Sequence, residues 1–160
     1  MHLIRNDKKR FLPLLLLADP EEAMIDRYLA DGELWVWEEG DTVIGTAVVL
    51  EVDDTTCELK NLAVDEAWQG RGYGTALVRA LAAHYSAHYQ KMLVGTSDDG
   101  VAFYKRLGFV EDHVVPGFFT KHYAHPIWEN GRLCVDMTYL RLTLDEEAKS
   151  IEVLAENAKC

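Results

Sequence analysis

Cysteine, basic residues and long apolar runs are all scarce in this sequence, and each scarcity removes a class of function. Only three cysteines occur, Cys57, Cys134 and Cys160. Their odd number and wide spacing fit neither a disulfide framework nor a thiolate metal site, so all are expected free and reduced. Among six histidines, His84 and His88 stand four apart on an expected helix, but no third ligand joins them and no metal is expected. Lysine and arginine total 16 against 27 aspartates and glutamates, a formal charge of −11. A binder of the phosphate backbone needs the opposite balance, so nucleic acid is not expected as a partner. The longest apolar run, residues 14–18, is far short of the roughly 18 residues of a membrane helix. The N-terminus turns charged at once, with Asp7, Lys8, Lys9 and Arg10, unlike a secretory leader. A cytoplasmic location with no membrane partner is the expectation.

What is present describes a folded chain. The 160 residues are 49% hydrophobic and 27% charged, enough to fill the core of a single domain. The acid surplus is uneven: residues 19–41 hold nine acids against Arg27 alone. Such a surface draws a cationic small molecule or peptide by long-range attraction, or simply keeps the protein soluble.

Periodicity gives a coarse order of elements. A short strand at 3–5 precedes a helical stretch at 11–29, broken near Pro13 and Asp19-Pro20, where Asp19 is placed to cap a second helix. Segments 34–37 and 42–52 flank an acidic turn and read as an antiparallel hairpin, followed by a strand at 57–64. Alternation along that strand puts Glu58, Lys60, Leu62 and Val64 on one face and Leu59, Asn61 and Ala63 on the other. A helix is expected at 74–89, a strand at 91–96, a short helix at 101–107 stopped by Gly108, and strands at 109–115 and 132–142. Residues 144–159 carry an apolar stripe and read as an amphipathic helix, packed on its own sheet or on a second copy in a homodimer. The whole is a mixed α/β sheet in one domain.

The densest chemical signal is the loop from Asp65 to Thr75. A strand runs into Gly70, Gly72 and Gly74 and then directly into a helix. Successive backbone N–H groups at a positive helix end suit a phosphate or pyrophosphate, and Arg71 adds a charged donor. The dinucleotide fingerprint would need a glycine where Thr75 stands, and the Walker loop would need a lysine that is absent. Both common nucleotide loops are therefore disfavoured.

The string Gln69-x-x-Gly72-x-Gly74, following Leu62-Ala63-Val64, resembles the acyl-CoA pyrophosphate loop of the GNAT superfamily of N-acyltransferases. About thirty residues on, Phe103-Tyr104-Lys105-Arg106-Leu107-Gly108-Phe109 resembles the family's second hallmark. The stretch from Phe118 to Gly131 is similar to a subgroup of small bacterial members with no assigned substrate. The resemblance implies a mixed, mostly antiparallel sheet flanked by helices, with middle strands that splay to admit the pantetheine arm. It implies an acetyltransferase domain over 1–143, with 144–160 a C-terminal helix or tail of that same domain. The activity implied is transfer of acetyl from acetyl-CoA to a primary amine of a small molecule or peptide by direct attack. A non-catalytic acyl-CoA-binding or sensing domain of the same fold is the alternative.

Carried over by resemblance, Leu62, Ala63 and Val64 would offer backbone groups to the pantetheine, and an N–H near Leu62 would meet the thioester oxygen. Gln69, Gly70, Arg71, Gly72, Tyr73, Gly74 and Thr75 would hold the pyrophosphate. The segment between Gly95 and Tyr104 is shorter than in many relatives, so a further pantetheine contact falls to Ser97 or Asp98. Two proton problems remain for the reaction. An amine with a pKa near ~10 must lose a proton, and a thiolate with a pKa near ~8.5 must be stabilised or protonated. Tyr104 resembles the family's general acid at the sulfur. For the base, Glu58 matches a strand glutamate of histone-type members, while His122 competes from the aromatic connection at 116–131. Phe118, His122 and Tyr123 of that connection either wall the acceptor pocket or fold back on the sheet.

Overall fold

Both faces of the strand at Thr42–Asp53 are apolar, and this dictates the layers around it. Ala47 and Val49 belong to one buried cluster and Val48 to another. A strand buried on both sides sits inside a sheet with helices on either face. The structure, a computed structural model, describes residues 1–144. The expected helix over 144–159 and Cys160 lie outside the described residues, except Leu144, which is buried.

The strands are β1 (His2–Ile4), β2 (Glu33–Glu39), β3 (Thr42–Asp53), β4 (Thr56–Val64), β5 (Lys91–Thr96), β6 (Val110–Val115), β7 (Trp128–Glu129), β8 (Arg132–Leu133) and β9 (Met137–Thr143). Seven form one sheet in the order β1-β2-β3-β4-β5-β9-β6, while β7 and β8 form a separate ribbon. All neighbours in the sheet are antiparallel except β4 and β5. That parallel pairing lasts only from Thr56↔Lys91 to Leu59↔Val94, after which the two strands part.

One face carries α3 (Tyr73–Tyr85), whose Leu77, Val78, Leu81, Ala82 and Tyr85 form the buried stripe. It closes over Trp35, Ala47, Val49, Leu59 and Met92. The other face carries α1 (Leu12–Ala18) and α2 (Glu22–Asp26), whose Leu15 and Ile25 are fully buried against Leu34, Val36 and Val48. Each such side chain contributes ~1.5–3 kcal/mol by leaving water. Two further helices are α4 (Asp98–Arg106) and α5 (Phe118–His122). Among the described residues, no helix is long and apolar enough to cross a membrane.

Four local expectations are corrected. Asp19 caps no second helix: it ends α1, and α2 begins at Glu22, because the Asp19 carboxylate is taken by the hydroxyls of Tyr28 and Tyr123. The helix expected to reach residue 89 ends at Tyr85, and Tyr89 turns aside to donate to Glu51 at 2.7 Å. The strand expected over 132–142 is broken into β8 and β9, since Asp136 leaves the ladder to accept from the N–H of Gly117.

The fourth concerns β4. Asn61 pairs with Val48 and Leu59 with Val49, leaving Lys60 as an extra residue. This is a β-bulge, and it swaps the faces of everything beyond it. Asn61 joins Glu58 on the α1 side, donating to the Leu15 carbonyl at 3.0 Å, while Leu62 packs against the cluster under α3. The alternation read from the sequence thus fails after Lys60.

Candidate active site

The glycine loop is built by short-range bonds that leave its backbone open. Asp65 accepts from the N–H of Ala67 at 3.0 Å, holding a single 3-10 turn, and the Gln69 amide folds back to donate to the Val64 carbonyl at 2.9 Å. Gly70 and Gly72 adopt φ values of +74° and +85°, where a side chain is strained. A Cβ at either would meet nothing within 4 Å, so these glycines supply conformation and an open approach rather than relief from crowding. Gly72 precedes α3 and offers no capping side chain, which leaves the first-turn N–H groups of Tyr73, Gly74 and Thr75 at the positive helix end. The Arg71 guanidinium lies over the Trp68 ring at 5.1 Å. An unobstructed row of donors beside a guanidinium fits a diphosphate.

Beyond this loop, the parting of β4 from β5 opens a cavity of about 610 Å³, within the usual size of small-ligand sites. Because pairing stops at Leu59 and Val94, the β4 backbone past that point has no strand on its β5 side. Such an edge can bond an extended amide-bearing arm. Leu62 lines the cavity; Ala63 and Val64 continue the edge towards the glycine loop, although the Val64 carbonyl is already engaged by Gln69.

Glu58 and Tyr104 both line this cavity. Glu58 is not a solvated strand end: it is 6% exposed, and its carboxylate meets the Lys60 ammonium at 2.5 Å. The Tyr139 hydroxyl also donates to it, and burial together with that bond pushes the Tyr139 phenol up to about 12. Gly95 makes this reach achievable, since a Cβ there would lie 3.0 Å from the Tyr139 ring and 2.6 Å from the Met137 sulfur. On the other side of the sheet, Tyr104 is half-buried, with Phe103 and Phe109 edge-on at 5.0 and 5.4 Å. Burial alone pushes its hydroxyl well above the ordinary phenol value, and among the described residues no hydrogen bond offsets it. α4 lies close to β5 because Gly100 has no side chain: a Cβ would fall 1.9 Å from Thr96 Oγ1.

Of the other expected site residues, Ser97 lines the cavity, with its hydroxyl donated to Glu129, and Asp98 stands exposed at the start of α4. Phe118, His122 and Tyr123 line the cavity too. His122 is exposed beside Phe118, with ring centres 4.7 Å apart. The connection they belong to bridges the cavity. Tyr123 donates to Asp19 at 3.0 Å and the His125 N–H to Glu21 at 3.1 Å, while Asn130 donates to Asp99 at 2.9 Å. Asp19, Tyr28, Asn61 and Tyr139 also line the cavity and were not anticipated. Asn61 is turned into the cavity by the bulge at Lys60, which β4 alone does not reveal, and Asp19, Tyr28 and Tyr139 are brought there from segments distant in sequence.

Comparison with known proteins places these features in company. The sequence model of the acetyltransferase (GNAT) domain matches residues 30–111. An uncharacterized N-acetyltransferase of Bacillus subtilis, YvbK, is 36% identical over 135 residues, covering 82% of this chain and 87% of the relative. A GNAT family acetyltransferase from Elizabethkingia anophelis, solved with acetyl-CoA bound, superposes with a TM-score of 0.85 at 35% identity, covering 89% of this chain and 96% of that one. A Bacillus subtilis acetyltransferase in complex with CoA gives 0.81 at 33% identity, over 90% and 97% of the two chains.

Proposed function

The chain belongs to the GNAT acetyltransferase family and is an acetyl-CoA-dependent enzyme; on that premise we propose that it acetylates a primary amine of a small molecule or peptide by direct attack. The observation that carries this reading is the single cavity at the parting of β4 and β5, which Glu58 and Tyr104 both line.

The proposed roles follow from position. The open N–H groups of residues 73–75 and Arg71 hold the diphosphate, and the unpaired β4 edge holds the pantetheine. The amine nitrogen forms a bond to the thioester carbonyl carbon, the carbon–sulfur bond breaks, and the sulfur leaves with the electron pair. A backbone N–H near Leu62 steadies the carbonyl oxygen as its charge grows. Tyr104 faces the sulfur. Its raised pKa keeps the proton on the phenol, and donation of a hydrogen bond to the departing sulfur is its main contribution, since a thiolate of pKa near ~8.5 takes that proton only uphill. Glu58 receives the proton that the amine must lose, its orientation fixed by Lys60 and Tyr139. His122 is the second candidate for that proton because it lines the same cavity.

The test is release of free thiol from acetyl-CoA with a panel of polyamines, aminoglycosides, amino acids and lysine peptides. Turnover with at least one primary amine, and none with alcohols of the same shape, is expected. Absence of turnover across the panel removes the amine reading.

A further inference from the structure

The α1–α2 side of the cavity holds a carboxylate that the proposed chemistry does not use. Asp19 is 8% exposed and lines the cavity. Its oxygens accept from the Tyr28 hydroxyl at 3.1 Å and the Tyr123 hydroxyl at 3.0 Å, and from the N–H of Glu21. All three donors are neutral. Among the described residues no lysine, arginine or histidine pairs with Asp19. Lys60 is committed to Glu58, and Arg27, exposed at the cavity edge, rests on the Met24 sulfur at 3.6 Å. A buried carboxylate without a counter-charge is costly, and burial pushes the Asp19 carboxyl above its ordinary range.

A second feature points the same way. Asn61 is 3% exposed and lines the same cavity. Its amide donates to the Tyr28 hydroxyl and to the Leu15 carbonyl, each at 3.0 Å, yet its own oxygen accepts from no group among the described residues. An anion without a counter-charge and a neutral acceptor without a donor are thus linked through Tyr28. An ammonium carries three donors and a full positive charge.

We propose that Asp19, with Asn61 beside it, is the subsite for a second ammonium on the acceptor, so that the preferred acceptors are alkyl diamines and polyamines. One amine reaches the thioester near Tyr104, on the α3–α4 side, while the other crosses the cavity past Gly95 to Asp19. The proposal rests on the amine-acceptor reading given above.

The experiment compares 1,4-diaminobutane and spermidine with n-butylamine, a chain of equal length with one amine. In the parent enzyme at saturating acetyl-CoA, kcat/KM for the diamine should exceed that for butylamine about tenfold or more, as for one charge-assisted bond. Asp19→Asn should cut kcat/KM for the diamine far more than for butylamine and erase the preference, mainly through KM. Equal rates for the two amines in the parent, or an equal fall for both in the variant, overturns the subsite. A retained thermal shift with acetyl-CoA shows that Asp19→Asn still folds; if it does not, Tyr123→Phe, which loosens the carboxylate, should narrow the same preference several-fold. If the parent acetylates no amine, the acceptor reading itself fails. The subsite is then decided by titrating 1,4-diaminobutane into the CoA-bound protein, where no measurable binding overturns it.

Discussion

Tyr104 and Glu58 reach one cavity from opposite layers of the sheet, and their replacements should fail in different ways. The Tyr104 hydroxyl bonds to no group among the described residues, so Tyr104→Phe should change stability by only about 0.5 kcal/mol and leave acetyl-CoA affinity nearly intact. Turnover should nonetheless fall ~100-fold or more. An unchanged single-turnover rate would return Tyr104 to packing between Phe103 and Phe109. Glu58→Gln is less clean, because it strips the half-buried Lys60 of its counter-ion and costs some stability whatever its catalytic role. A pH–rate profile separates the two effects. If Glu58 takes the proton, raising pH partly rescues the Gln variant, since more of the amine arrives neutral, and His122→Gln is nearly silent. A loss that stays constant with pH marks Glu58 as structural.

Asp19 gives a stability prediction with a definite sign. Its carboxyl is raised in the folded state, mainly by burial, with the Tyr123, Tyr28 and Glu21 donors opposing and the Glu21 charge adding to the rise. A raised folded pKa means that folding is favoured while the group is protonated and is penalised as pH climbs through that value. Asn imitates the protonated form. Asp19→Asn should therefore raise Tm at neutral pH, and the gap should close as pH falls towards the ordinary carboxylate value near ~4. A Tm gap that is flat with pH would show that Asp19 carries no such strain.

At the level of elements, the placement of α4 depends on one missing methyl. A Cβ on Gly100 would strike Thr96 at its oxygen, its Cβ and its methyl, at 1.9, 3.1 and 3.3 Å, so rotating the threonine does not clear it. Gly100→Ala should cost about 1–3 kcal/mol and, by pushing α4 off β5, should lower kcat through Tyr104 as well. Full activity in a destabilised variant would uncouple the two. Elements set by their own local pattern were legible in the sequence. The stripe Leu77, Leu81, Tyr85 gave α3, and the segments at 34–37 and 42–52 gave the β2–β3 hairpin. The bulge at Lys60 was not legible, because register belongs to a pair of strands and β4 alone does not encode it. The break of the first helical stretch at Asp19-Pro20 was legible, but the start of α2 was not, since Asp19 answers to Tyr123 more than a hundred residues away and caps nothing.

At the scale of the whole molecule, acetyl-CoA is a ligand of the native state only and should stabilise it by mass action. At a hundredfold excess over Kd this amounts to ~2.7 kcal/mol, or roughly 5–10 °C in Tm for a chain of this size. Gly72→Ala should shrink the shift, since its φ of +85° strains any side chain at the head of α3. No shift in the parent at millimolar acetyl-CoA would mean that the glycine loop does not serve as described. The loop and the Phe103–Phe109 segment were readable because each is contiguous in sequence, and together they implied the family. The far side of the cavity was readable only in part: Glu58 and Tyr123 were anticipated, whereas Asp19, Asn61 and Tyr139 come from three separate stretches that only the fold assembles.

The bulge at Lys60 also has a genetic consequence. It acts as a phase slip in the pleat of β4: residues before it and after it keep the same two-residue beat, but in opposite phase. Deleting Lys60 would remove the extra residue and leave a regular strand, with Asn61 still opposite Val48 on the α1 side and Leu62 still opposite Ala47 under α3. Deleting Leu62 would absorb the bulge as well, but it would set Lys60 opposite Val48 and Asn61 opposite Ala47, an ammonium and an amide in two apolar layers. β4 should therefore show an uncommon pattern in a library of single deletions, with the loss of Lys60 far better tolerated for folding than the loss of Leu62.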